Sequence, residues 1–231
     1  MEDKKSPKSC VNCMIRLPLF NLLTDEQLEN INLTRCEVRF HAGETIFKQG
    51  TVMTHFIIIT EGLVKGYIEG LNNSNLILGF FNPISMIGGP GFLTDYKHHI
   101  TTTAMEETSA CFIEINALSN ALKENSAFSL ELLRCLNLVT QNHYIKFIEL
   151  TQKGMHGRIA TALLYLFNDI FKEGDRTIRI KRQDLADLTA MSKESAIRII
   201  KELKDEKTIT VEGNAIILND LHRLSKFSLM G

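Results

Sequence analysis

The stretch Ser192-Lys193-Glu194-Ser195-Ala196-Ile197-Arg198 contains the side chains whose chemistry is hardest to explain as packing. Arg198 can donate two hydrogen bonds to guanine O6 and N7, and Glu194 can accept one from cytosine N4. The methyls of Ile197 suit a thymine methyl, and Lys193 can reach a base edge or a phosphate. The hydroxyls of Ser192 and Ser195, with a helix N-terminus behind them, suit phosphate oxygens. A solvated, capped surface helix would account for the charges. It would leave the apolar Ile197 facing water without a reason.

These residues need a helix to align them. Ala196, Ile199, Ile200 and Leu203 recur at i, i+3, i+4 and i+7, an inward stripe that leaves Lys193, Glu194, Ile197 and Arg198 on the outward face. Ser192 is a suitable N-cap. Upstream, Leu185, Ala186 and Leu188 predict a short first helix, and Ala186 and Ala190 are small where the two helices would cross. Arg179, Lys181 and Arg182 form a basic cluster just before it. Downstream, "TITVEGNAIIL" places Gly213-Asn214 between two strand-like runs, a hairpin signal. A helix pair followed by a hairpin is the layout of a winged helix.

The rest of the chain divides by punctuation. From about Leu22 to Ile115, short β-rich runs such as "FIIITEGLVKGYIEG" and "TTTAMEETSACFIEI" are separated by Gly, Asn and Pro, which predicts a sandwich, barrel or roll. Between Ala127 and Lys153 there is neither Gly nor Pro, and Leu132, Leu133, Leu136, Val139, His143, Lys146, Phe147 and Leu150 follow helical steps. The wide apolar stripe of this helix fits either a core helix packed on the strands or, as preferred here, a dimer helix with one side on its own domain and the other on a symmetry mate. "KGMHG" at Lys153–Gly157 interrupts it as a hinge, "RIATALLYLFNDIF" resumes a helix, "KEGD" at Lys172–Asp175 stops that helix, and "RTIRI" alternates like a strand. The predicted fold is α+β: an antiparallel β-roll domain with its N-terminal segment over 1–126, a long dimerisation helix over 127–153, and a winged helix-turn-helix over 154–231.

Composition bounds the function. The chain of 231 residues carries a net charge of −1, split between 13 basic and 16 acidic residues up to position 154 and 13 basic and 11 acidic residues after it. The sign of that shift suits a nucleic-acid partner at the C-terminal end. Lys4, Lys5 and Lys8 are followed by "SCVNCMIRLPLF", which lacks a long apolar run, so no secretory signal is expected. No apolar run is long enough to span a bilayer. Five cysteines without an export signal point to a reduced, cytoplasmic setting, with Cys36, Cys111 and Cys135 fitting small apolar core residues. There is no Walker-type loop, no H-E-x-x-H and no G-x-S-x-G, and "GGPG" at Gly88–Gly91 has no lysine close behind it, so no enzyme is expected.

The chain resembles the catabolite-activator/FNR (Crp/Fnr) family of bacterial transcription regulators over nearly its whole length. The resemblance is carried by "GETIFKQG", "EGLVKGY", the long helix, "GRIATALLYL" and, most specifically, "RQDLADLTAMSKESAIRIIKEL". It implies a homodimer that binds a pseudo-palindromic duplex with one recognition helix per half-site, in major grooves roughly 34 Å apart. It gives base reading to Glu194 and Arg198 with help from Lys193, and phosphate contacts to Arg182 and Ser192. RNA polymerase is the further partner it implies. A module that binds a cyclic nucleotide without touching DNA is the reading from another class, and the winged-helix pattern argues against it.

The resemblance also locates an effector pocket. Members that bind cyclic AMP hold its ribose with a Gly-Glu pair and its phosphate with an Arg-Ser pair. Here Gly88 is kept, Gly89 stands in the place of the Glu, and Thr101 and Thr102 replace the Arg-Ser pair. His143 and Tyr144 replace the small hydroxyl residues that face adenine. A buried phosphate without its arginine loses a bidentate charge-assisted contact, so cyclic AMP is not the expected ligand and the effector is left unidentified. For an iron–sulfur cluster, the resemblance supplies Cys10, Cys13 and Cys111 as thiolates, with the fourth missing among Leu17, Pro18 and Leu19, and a cubane needs four. For haem it offers His98, His99 and His143. The preferred expectation is a sensor without metal.

Overall fold

A run of four apolar residues inside "HFIIITE" forms an inner strand, His55–Glu61 (β3), because both of its faces meet apolar neighbours. With the period of two that a strand imposes, Phe56 and Ile58 enter one buried cluster, and Ile57 and Ile59 enter another. In the computed structural model, residues 9–71, 74–171 and 177–230 are described. The helix stop at Lys172–Asp175 and the lysines at 4, 5 and 8 lie outside them.

β3 pairs antiparallel with Thr108–Glu114 (β8) and Ser85–Ile87 (β6), and β8 pairs with Cys36–Phe40 (β1), giving the order β1-β8-β3-β6. A second four-stranded sheet runs Thr45–Phe47 (β2), Thr101–Ala104 (β7), Val64–Glu69 (β4), Asn75–Phe81 (β5) in spatial order. Its β2–β7 and β4–β7 pairings are antiparallel. The fold is α+β with the β-rich half first. At Gly62 (φ +88) an added Cβ would land on the Glu107 carbonyl oxygen and the backbone of Thr108, so the turn between β3 and β4 requires glycine.

Helices that glycine and proline punctuation did not signal close the first core. Asp25–Thr34 (α1) starts in a capping box: Thr24 Oγ1 accepts from Gln27 N at 3.2 Å, and Gln27 Oε1 accepts from Thr24 N at 3.1 Å. Ile115–Glu124 (α2) buries Ile115, Leu118 and Ala121. Phe128, on the long helix Ser126–Gln152 (α3), meets Phe20 edge-on at 5.8 Å. Cys36 is exposed rather than a core residue, because it opens the edge strand β1, even though it shares a face with the half-buried Val38 and Phe40.

Two compact units divide the chain, one of residues up to Ile68 with Gly79–Thr140, the other of Glu69–Leu78 with the residues from Gln141 onward. The helical period over α3 is as expected, and along it Leu130, Leu133, Val139, Tyr144, Ile145, Phe147 and Ile148 are all exposed. In the second unit Gly154 caps the next helix, Met155–Tyr165 (α4), with no side-chain bond. The helix therefore breaks at the sequence that read as a hinge. A π-helical turn over Leu166–Ile170 follows α4. The C-terminal helix Leu221–Met230 (α7), which the sequence did not announce, lies on α4, where Thr161 and Ser228 hydroxyls bond at 2.7 Å.

One charge is placed at a cost inside the second unit. Lys146 on α3 donates to the carbonyl oxygens of Ile77 at 2.7 Å and Leu78 at 3.4 Å. Burial lowers its pKa from the ordinary 10.5 to about 8. Between these values the unfolded chain holds a proton that the folded chain has released, so stability rises with pH across that window and the cost is fully present below it. Melting temperature measured from pH 7.5 to 10.5 should climb less steeply in Lys146→Met than in the wild type; equal slopes would mean that Lys146 titrates normally.

Candidate nucleic-acid interface

The interface is built on Arg182–Leu188 (α5) and Lys193–Asp205 (α6). In α5, Leu185, Ala186 and Leu188 are buried, as are Ala196, Ile199, Ile200 and Leu203 in α6. The inward stripe is the one that the spacing predicts. Between the helices, Thr189 Oγ1 donates to Leu185 O at 2.7 Å and Arg158 on α4 donates to the carbonyls of Thr189 at 3.0 Å and Ala190 at 3.1 Å. These bonds satisfy the carbonyls that a helix end leaves open. Ala190 differs from its sequence reading: it is exposed at φ +50, in the left-handed position where a helix ends, rather than packed at a helix crossing.

Ser192 caps α6, its hydroxyl accepting from Ser195 N at 3.1 Å and donating to Ser195 Oγ at 3.1 Å. The outward face then presents Lys193, Glu194, Ile197 and Arg198 together, all exposed, with Ile197 at 44%. Backbone and Ser192 hydrogen bonds at the helix N-terminus hold the Glu194 carboxyl below its ordinary pKa, so it stays an acceptor at neutral pH.

Beside α6 lies a three-stranded sheet in the order Ile209–Glu212 (β10), Ala215–Leu218 (β11), Thr177–Arg179 (β9). Glu212 faces Ala215 across the predicted hairpin turn, and Gly213 takes φ +59. Arg182 donates to Gly213 O at 3.1 Å, and burial lowers its pKa. It thus ties α5 to the wing tip, and only part of its guanidinium remains accessible.

In the first unit, Thr101 and Thr102 are fully buried. The Thr101 hydroxyl accepts from Gln49 N at 2.9 Å, while Thr102 Oγ1 has no partner. The pair itself is made of hydroxyl side chains and carries no guanidinium. Gly88 has a packing reason: a Cβ there would strike the Phe56 ring, and Gly89 takes φ +125. The second unit holds His143, partly buried, and Tyr144, exposed. His98 is buried and stacked on Phe47 at 3.8 Å beside a cavity of about 400 Å³, and burial lowers its pKa so that the ring stays neutral. His99 is exposed and pairs with Asp95 at 3.1 Å.

Cys10, Cys13 and Cys111 line one small cavity of about 40 Å³ with Arg35 among them. Arg35 hydrogen-bonds the Cys10 and Cys111 thiols, yet burial outweighs it and raises both pKa values, that of Cys111 to about 11. Metal ligation needs thiolates. Among the described residues no group of three or more His, Cys, Asp or Glu is arranged to hold a metal ion. Cys10, Cys13 and Cys111 are thus brought to one cavity, three thiols where a cubane cluster takes four ligands.

Sequence reading missed Glu202. On α6, one turn beyond Arg198, its Oε1 accepts from Arg198 Nη1 at 3.4 Å and its Oε2 lies 2.6 Å from His156 Nε2 on α4. An i, i+4 spacing is visible in the sequence; a partner 46 residues away is not.

Comparison with known proteins agrees with this architecture. A model of the cyclic nucleotide-binding domain matches residues 37–125, and a model of the Crp-like helix-turn-helix domain matches residues 157–227. The chain is 23% identical over 187 residues to Electron transport regulator A of Shewanella oneidensis, covering 79% of this chain and 74% of that protein. It is 25% identical over 199 residues to the Listeriolysin regulatory protein of Listeria monocytogenes, covering 82% and 84%. A crystal structure of a transcriptional regulator of the crp/fnr family from Eubacterium rectale superposes with a TM-score of 0.79 at 16% identity, over 92% of this chain and 98% of that one.

Proposed function

The chain belongs to the Crp/Fnr family of transcription regulators, and on that premise we propose that it reads a pseudo-palindromic DNA site as a homodimer under the control of an effector other than cyclic AMP. The observation that carries the reading is the outward face of α6. Lys193, Glu194, Ile197 and Arg198 contact base edges, and Ser192, Ser195 and the accessible part of Arg182 contact phosphate. Ile197 then finds an apolar partner in the groove instead of water.

Electron transport regulator A and the Listeriolysin regulatory protein are both regulators by name, which supports a regulator rather than an enzyme. The working parts are an effector region over 1–126, a dimer helix over 127–153 and a DNA-binding region over 154–231. The exposed apolar residues of α3 supply the surface for the second copy. RNA polymerase is the further partner, and the cytoplasm the setting. No helix among the described residues is long and apolar enough to cross a membrane.

The buried Thr101 and Thr102 support the rejection of cyclic AMP, since a desolvated phosphate there would meet hydroxyls but no positive charge. Gly88, Gly89, His143 and Tyr144 complete the proposed effector residues. Cys10, Cys13 and Cys111 offer three thiols where a cubane needs four, which disfavours a cluster.

Two experiments test this reading. Arg198→Ala should relax base preference at one position per half-site, at a cost of about 1–3 kcal/mol each, measured by competition between duplexes; equal weakening at every sequence would make Arg198 a phosphate contact. Millimolar cyclic AMP should leave the melting temperature unmoved, and a strong rise would overturn the pocket argument.

A further inference from the structure

We infer that Glu202 is a positioning residue for Arg198, itself fixed by His156, and that it trades affinity for sequence discrimination. The inference rests on the DNA-reading function proposed above.

The two oxygens of the Glu202 carboxylate have separate tasks. Oε2 meets His156 Nε2 at 2.6 Å, and Oε1 accepts from Arg198 Nη1 at 3.4 Å. His156 is the second residue of α4, just after the break at Gly154, so the carboxylate is held from outside its own helix. All three side chains are roughly half-exposed. Ion pairs in such surroundings contribute about 0–1 kcal/mol, and folding stability is a poor reason for them. The Arg–Glu order along α6 is also the less favourable one for an i, i+4 pair.

The placement has a consequence at the interface. Beside a base-reading arginine, a carboxylate repels the phosphate backbone and weakens binding to any duplex. What it gives in return is geometry. Bidentate reading of guanine needs the planar guanidinium in one orientation. A carboxylate on Nη1 removes rotamers that would let Arg198 swing to a phosphate. His156 keeps that carboxylate from following the arginine.

The test uses the full-length protein and a duplex that the wild type selects from a randomised library, with a matched duplex in which the guanine pair read by Arg198 is changed. Glu202→Gln should tighten binding to random-sequence duplex about threefold. It should lower the preference for the selected site about fivefold, equivalent to ~1 kcal/mol. In an Arg198→Ala background, Glu202→Gln should leave the preference unchanged. His156→Ala should lower it in the same sense, and His156→Gln, which can still donate, should restore it. A parallel gain on both duplexes, with their ratio fixed, would reduce Glu202 to simple charge repulsion and overturn the proposal. No change on either duplex would also overturn it. If Arg198→Ala alone leaves the preference intact, or the wild type selects no sequence, the DNA-reading function itself fails, and this inference fails with it.

Discussion

The DNA-reading function depends on one constraint: a helix of 3.6 residues per turn cannot bury one stripe without fixing what stands on the other. In α6 the buried stripe is Ala196, Ile199, Ile200 and Leu203. Those four residues dock α6 on α4 and α5 and thereby decide that Lys193, Glu194, Ile197 and Arg198 face out together. The remaining features of the second unit serve that orientation. Arg158 closes the turn that aims α6, Ser192 starts it, and Arg182 ties the wing turn to α5. A polar residue at Ile199 would disturb the reading face without touching it.

The first unit obeys a different constraint. β3, buried on both sides, divides its residues between two cores by alternation. The fold of a cyclic nucleotide-binding domain persists because that packing, together with glycines at turns such as Gly62, does not depend on the nucleotide. The groups that would recognise the nucleotide are separable from it. Thr101 and Thr102 fit a fully buried strand without disturbing it, and Gly88 is retained because Phe56 leaves no room for a side chain. On the function proposed here, fold and ligand chemistry are separable in this half of the molecule.

Much of this was legible in the sequence. Periodicity located α3 and both helices of the interface, and Gly213-Asn214 marked the wing, because each signal is local. Local signals also explain the errors. Cys36 looked like a core residue, but exposure depends on the edge position of β1, which pairing over long range decides. Ala190 looked like a packing residue, whereas its left-handed backbone follows from carbonyl bonds to Arg158, far away in the chain. The contact between Glu202 and His156 joins two helices that only tertiary packing brings together. The C-x2-C spacing of Cys10 and Cys13 did indicate proximity, yet it could not reveal that burial raises the Cys10 pKa.

The function proposed for α6 is to read base edges in the major groove. Methylation interference on a duplex selected by the wild-type protein tests it most directly, since methyl groups on guanine N7 project into that groove. If α6 reads base edges, interference falls at guanines in two half-sites, symmetric about a centre and one helical turn apart. Interference confined to adenine N3 in the minor groove, or none despite binding, would contradict it.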